Sequence, residues 1–181
     1  MVPSLEECAD LLKKSHVPEH IIEHSRRVCE IAACLGRLLN RQGAGLDEGK
    51  IAAASLLHDI AKMDGLHSGE NHSAAGAELL KKLGYPEIAE IVRQHVVLDA
   101  ETYEGDIGEA MVVHYADKRV KHTALVSLED RFRDLKERYG ERPAARQWLE
   151  DLERQTKDLE TRIFGRLAIS PDSLGSLVEE E

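Results

Sequence analysis

Residues 51–62 read IAAASLLHDIAK, and this stretch decides the fold. Ile51 to Leu57 is apolar apart from Ser55, and is far shorter than the roughly twenty residues a membrane span requires. Asp47 begins a helix here that becomes apolar on all sides. A helix with no water-facing side belongs at the centre of a bundle. Yet it ends on His58-Asp59, groups that are costly to bury without partners. The rest of the chain must supply both a shell of helices and partners for that pair.

The shell is legible in both directions from the central stretch. Before it, Val28, Ile31, Ala32, Leu35, Leu38 and Leu39 follow His24 as one stripe at helical spacing, and Gly43 and Gly45 break the chain. After it, the loop MDGLHSGE leads to a third helix, capped by Asn71 or Ser73 and ended by Gly84. Pro86 separates a fourth helix, in which Ile88, Ile91, Val92 and His95 share a face. VVLDAETYEGD reads as a loop, and a fifth helix carries Ile107, Met111, His114 and Asp117. Ser127 with Asp130 resembles a capping box that opens a helix to about Tyr139. Pro143 suits the first turn of a last long helix, with Trp148, Leu152, Leu159 and Ile163 as its stripe and Gly165 as its end. No segment alternates with period two. The expected fold class is therefore all-α, with one domain over 1–140 and a long C-terminal helical extension. The helix over 141–165 packs on the domain or pairs with a second subunit in a homodimer, and 166–181 is expected to be a flexible tail.

Composition narrows the function. The 181 residues suit one compact domain, and 42% hydrophobic content is too high for a disordered chain. A net charge of −10 and only seven aromatic residues argue against nucleic-acid and anionic-membrane partners. Cys8, Cys29 and Cys34 include no C-x-x-C, which argues against a disulfide frame and a cysteine zinc site. The opening MVPSLEECADLLKK has acids and no apolar core of a signal peptide, so a cytoplasmic location is expected.

Nine histidines are the unusual component. Four helices each bring a histidine or aspartate to an apolar stripe: His24, His58-Asp59, His95 and Asp117, while His72 opens the third helix. Neutral imidazoles converging with carboxylates suit divalent Fe, Mn, Co, Ni or Zn, with Mg also admissible. Neighbouring helical residues point about 100° apart, so His58 and Asp59 can grip one ion only where helices surround it or where the helix ends. Here it ends within about a turn.

His24, His58-Asp59 and Asp117 resemble the H…HD…D signature of the HD superfamily of metal-dependent phosphohydrolases. HSRRV at His24, LLHDIAK with Lys62, HSAAG at His72, IVRQH ending at His95 and HYADKR around Asp117 extend the resemblance over about residues 20–125. It implies an HD-domain helical bundle and a first metal held by His24, His58, Asp59 and Asp117. It further implies a second ion held by His72 and His95, with Asp59 bridging. The implied activity is hydrolysis of a small phosphate ester, a nucleotide in particular, by metal-activated water. Asp59 and Lys62 are the catalytic residues on this reading, and Lys62, Lys118 and Arg119 are substrate contacts, the last two assigned from chemistry and nearness to Asp117 in sequence. The Gly-Tyr-Pro motif of the cyclic-di-GMP subfamily is not reproduced, because Gly84-Tyr85-Pro86 precedes His95. Two other readings use the same ligands: a non-catalytic sensor that binds metal and nucleotide, and a di-iron oxygenase. His67 could approach the site from its loop, whereas His16, His20 and His122 read as surface or loop residues.

Overall fold

The computed structural model describes residues 1–63 and 71–179. It is all-α in its framework, as expected. Helix α1 spans Leu5–Lys14 and begins with a capping box, in which the Glu7 backbone N–H donates to the Ser4 hydroxyl and the Ser4 backbone N–H donates to the Glu7 carboxylate. Helix α2, Glu19–Arg41, buries the stripe Ile21, His24, Val28, Ile31, Ala32, Leu35 and Leu39. Helix α3, Glu48–Leu57, is capped by the Asp47 side chain and lies centrally, packed against α2 and α1. Its Ile51 comes so close to α2 that a Cβ at Gly36 would stand 2.8 Å from the Ile51 methyl, so glycine permits this approach.

Helix α4, His72–Lys82, starts at the Asn71 cap. It stops before Gly84, whose φ of 90° falls in the left-handed region that glycine adopts without a steric penalty. Helix α5, Pro86–Arg93, packs on α4 and α3. A short helix α6, Ala100–Glu104, interrupts the stretch expected as a loop. Helix α7, Glu109–Lys118, is buried along most of its length and rests on both α2 and α3. A two-stranded antiparallel hairpin comes next, with β1 at Val120–Lys121, β2 at Ala124–Leu125 and Val120 paired with Leu125. Period-two alternation cannot announce strands of two residues.

Helix α8, Leu128–Tyr139, begins at the predicted Ser127 cap, and α9, Pro143–Leu167, carries proline in its first turn. Helix α9 packs on the domain through Leu149, Leu152, Thr156, Leu159 and Ile163, a spacing of alternate threes and fours. Trp148 does not belong to that stripe. It stands about half exposed while Leu149 takes the buried position. Gly165 does not end the helix, which runs to Leu167 and stops where Ala168 turns left-handed. The expected flexible tail differs as well. Residues 171–173 form a 3₁₀ turn and Leu174–Glu179 form helix α10, with Leu174 fully buried in the core that α10 shares with α2. Among the described residues no helix is long and apolar enough to cross a membrane.

Candidate metal centre

The predicted ligands come from five places in the chain and converge. His24 projects from α2. His58 caps the C-terminal end of α3, with Asp59 in the turn after it, so the helix end separates the pair as the sequence required. His72 opens α4, and Asp117 sits on the last turn of α7. His95 lies two residues past the end of α5 rather than on the helix, its N–H still bonded to the Val92 carbonyl at 3.3 Å. All but His72 are buried.

The distances define two overlapping groups. His24, His58 and Asp59 offer ligand atoms within 4.8 Å of one another, and so do Asp59, His72 and His95. Asp59 belongs to both groups: Oδ2 lies 3.3 Å from His58 Nε2, while Oδ1 lies 3.4 Å from His72 Nε2 and 3.6 Å from His95 Nε2. Asp117 Oδ1 joins the first group, 3.2 Å from His24 Nε2 and 3.7 Å from His58 Nε2. The Nε2 atoms of His72 and His95 are 3.2 Å apart.

Backbone carbonyls set the imidazoles. His24 Nδ1 meets the His122 carbonyl at 2.8 Å, His58 Nδ1 that of Ser55 at 2.7 Å, and His95 Nδ1 that of Val92 at 2.7 Å. A carbonyl only accepts, so each Nδ1 carries the proton, and in the neutral ring Nε2 keeps its lone pair. All three lone pairs face the two aspartates, an arrangement typical of metal-ligating histidines. His58 Nε2 and Asp59 Oδ1 are buried and make no hydrogen bond. Orphaned buried acceptors are rare, and here they sit where a cation would satisfy them. The residues therefore fit one or two divalent ions.

Without a cation the two carboxylates draw positive charge onto the imidazoles. Asp59 and Asp117 raise His58 against the effect of its burial, so a proton stands where a metal ion would supply the charge. Burial would raise the Asp59 carboxyl, but His58 and the other imidazoles overcome it and hold it well below the usual range. Asp117 is likewise depressed, since Lys118, His24 and His58 outweigh its burial. Burial pushes His95 down to about 4, which keeps the ring neutral and able to donate its lone pair.

Among the expected substrate contacts, Lys62 is well placed. Its Nζ lies 2.6 Å from Asp59 Oδ2 at the cavity wall, and the two aspartates keep it charged against the effect of burial. Lys118 borders the same cavity, although its Nζ already donates to Asp117 Oδ2 at 2.7 Å and to the His95 carbonyl at 3.1 Å. Arg119 does not face the cavity. It is buried on the far side of the helix end, where it donates to the Val126 carbonyl at 2.7 Å, Glu160 at 3.1 Å and the Tyr115 hydroxyl. Successive residues at a helix end point in different directions, so nearness to Asp117 in sequence did not carry Arg119 to the site. His67 lies outside the described residues.

The cavity in front of the ligands measures about 420 Å³, within the roughly 300–1,000 Å³ usual for small-molecule sites. Residues that the sequence did not place at the site border it: His20, Lys121, His122, Arg131, Arg138, Tyr139 and Trp148. One signal was available, because Arg131, Leu135 and Arg138 are spaced to share a face of α8. His114 is a further link. Its Nδ1 donates to the His95 carbonyl at 3.0 Å and its Nε2 lies 3.5 Å from Thr156 Oγ1, connecting α9 to a ligand segment.

A profile of the HD domain matches residues 21–121, more than half of the chain, and contains every residue of the ligand cluster. The chain belongs to the HD domain family. It is similar to a tRNA (cytidine(56)-2'-O)-methyltransferase of Thermoplasma volcanium, at 26% identity over 149 residues. That match takes in 74% of this chain but only 42% of the relative's length. It is also 27% identical over 140 residues to an uncharacterized protein of Methanocaldococcus jannaschii, covering 70% of this chain and 82% of that one. A crystal structure of a predicted HD superfamily hydrolase from an uncultured Thermotogales bacterium aligns with a TM-score of 0.48 and 23% identity, over 90% of this chain and 92% of its own.

Proposed function

We propose that the chain is a metal-dependent phosphohydrolase that acts on a nucleotide or another small phosphate ester. The observation that carries this reading is the pair of ligand groups joined through Asp59, with the lone pairs of His24, His58 and His95 turned toward the carboxylates. Divalent ions held by His24, His58, Asp59 and Asp117, and by Asp59, His72 and His95, would activate water and polarise a phosphoryl oxygen. The chain's own groups do the rest. Backbone carbonyls fix the histidine tautomers, and Lys118 holds Asp117 in place through its 2.7 Å contact. Lys62 sets a positive charge at the cavity edge that can balance a phosphate oxygen. This donor set serves monoesters and diesters alike.

The test begins with protein purified without added metal. Bound metals are counted, and a panel of nucleotides, phosphomonoesters and phosphodiesters is assayed with Mn, Co, Ni, Fe and Mg. Asp59→Ala is expected to lose both metal and activity, falling by at least a hundredfold, because its carboxylate serves both groups. Full activity in that variant would place the chemistry elsewhere. Bound metal with no turnover of any phosphate ester would favour the sensor or oxygenase readings.

A further inference from the structure

The family match ends at residue 121, yet the outer wall of the cavity is built from later residues. Helix α8 contributes Arg131, Leu135, Arg138 and Tyr139, and α9 contributes Trp148, Leu149 and Leu152. Two features of this wall are unusual. The first is a pair of aromatic rings, Tyr139 and Trp148, that border the cavity while remaining 60% and 46% exposed. In a chain with a single tryptophan, that ring is left at a cavity mouth while Leu149 beside it fills the core. The exposed part of each ring is not taken up by packing, and it suits the face of a flat ligand ring.

The second feature is a cluster of cations held by one carboxylate. Lys121 Nζ is 2.9 Å from Asp134 Oδ1, Arg138 Nε is 3.1 Å from the same oxygen, and an Arg131 terminal nitrogen is 3.6 Å from Oδ2. All three cations border the cavity, Asp134 is buried behind them, and the buried Arg131 Nε has no hydrogen-bond partner. Three positive charges face one negative charge, so the wall retains an excess of two within a chain whose net charge is −10. Such an excess lining a concave surface attracts an anionic ligand.

We infer that α8 and α9 form the specificity wall of the site: Trp148 and Tyr139 take the aromatic base of a nucleotide, and the cations gathered on Asp134 steady its phosphate. This rests on the phosphohydrolase reading for the fate of the ligand, but not for its binding. The wall selects nucleotides over phosphate esters that lack a base.

Because Trp148 is the only tryptophan, its fluorescence reports on this wall alone. The full-length protein is titrated, with and without Mn, with the four common ribonucleoside 5′-monophosphates and with ribose 5-phosphate as the base-free probe. At least one nucleotide is expected to quench the fluorescence saturably and to bind roughly tenfold or more tightly than ribose 5-phosphate, the range that one stacked base supplies. By calorimetry, that preference is expected to collapse in Trp148→Ala and to persist in Trp148→Phe, which keeps a ring. Lys121→Ala is expected to weaken nucleotide and ribose 5-phosphate by a similar factor. Equal affinity for nucleotides and ribose 5-phosphate, or a preference that survives in Trp148→Ala, would overturn the wall. Absence of turnover with quenching intact would instead remove the hydrolase reading and leave the wall standing.

Discussion

His114 is a buried imidazole with no place among the ligands. Burial, reinforced by the charge of Lys118, pushes it down to about 3 from an ordinary value of 6.5, so it stays neutral in the fold. The unfolded chain takes up that proton first as acid is added. The contribution of His114 to stability is therefore complete above pH 6.5 and is lost progressively as pH falls toward about 3. At pH 5 the loss amounts to about 2 kcal/mol. A urea midpoint that falls between pH 7 and pH 5 in metal-free protein is the expected result, and an unchanged midpoint would mean that the ring protonates within the fold. The convergence of the candidate ligands was legible at this scale. A histidine or aspartate on an apolar stripe needs a partner, and that requirement was visible at His24, His95 and Asp117 without coordinates. The carbonyls that orient them were not, because His122 reaches His24 across 98 residues of sequence through a hairpin turn with φ of 56°.

At the scale of elements, caps and periodicity located most helices. Asp47, Asn71, Ser127 and Pro143 each stand where the structure begins a helix, since these residues act on their own next few neighbours. What failed was long-range. Trp148 fits the stripe of α9 by spacing as an isolated helix, and only the arrival of α8 and the cavity turns it outward. In residues 166–179 Pro171 and Gly175 interrupt the apolar groups before they can show a helical period, yet Leu174 enters the core that α10 shares with α2. Leu174→Ala is expected to lower stability by about 2–4 kcal/mol, read as a shift in the urea midpoint. A tail without tertiary contacts would leave the midpoint where it was.

Over the whole molecule, the charge distribution opposes the average. The chain as a whole carries a net charge of −10, whereas the cavity collects Lys62, Lys118, Lys121, Arg131 and Arg138 beside Asp59 and Asp117. For an anionic substrate the near field attracts and the far field repels, and salt screens both. Close contacts dominate binding, so KM for phosphate esters is expected to rise by about threefold to tenfold between 50 mM and 300 mM salt. A KM that falls over this range would show that the bulk charge governs access. The sequence could supply the sum of the charges and the local Arg131–Asp134–Arg138 spacing but not their placement at the cavity, because Lys121 joins them only through the fold.

Arg119, displaced from its expected role at the cavity, has a different consequence. Its guanidinium stacks near the Tyr115 ring, donates to Val126 and Glu160, and reaches the Pro171 carbonyl at 3.4 Å. One buried cation thus ties the end of α7 to the hairpin, the last long helix and the turn before α10. None of these can peel away without stranding that charge in the interior, which is costly. The C-terminal segment is therefore not an appendage that melts early. The ligand-bearing helices and the wall in front of them are expected to lose their structure in a single cooperative transition, with no populated state that keeps the ligand cluster but has shed its wall.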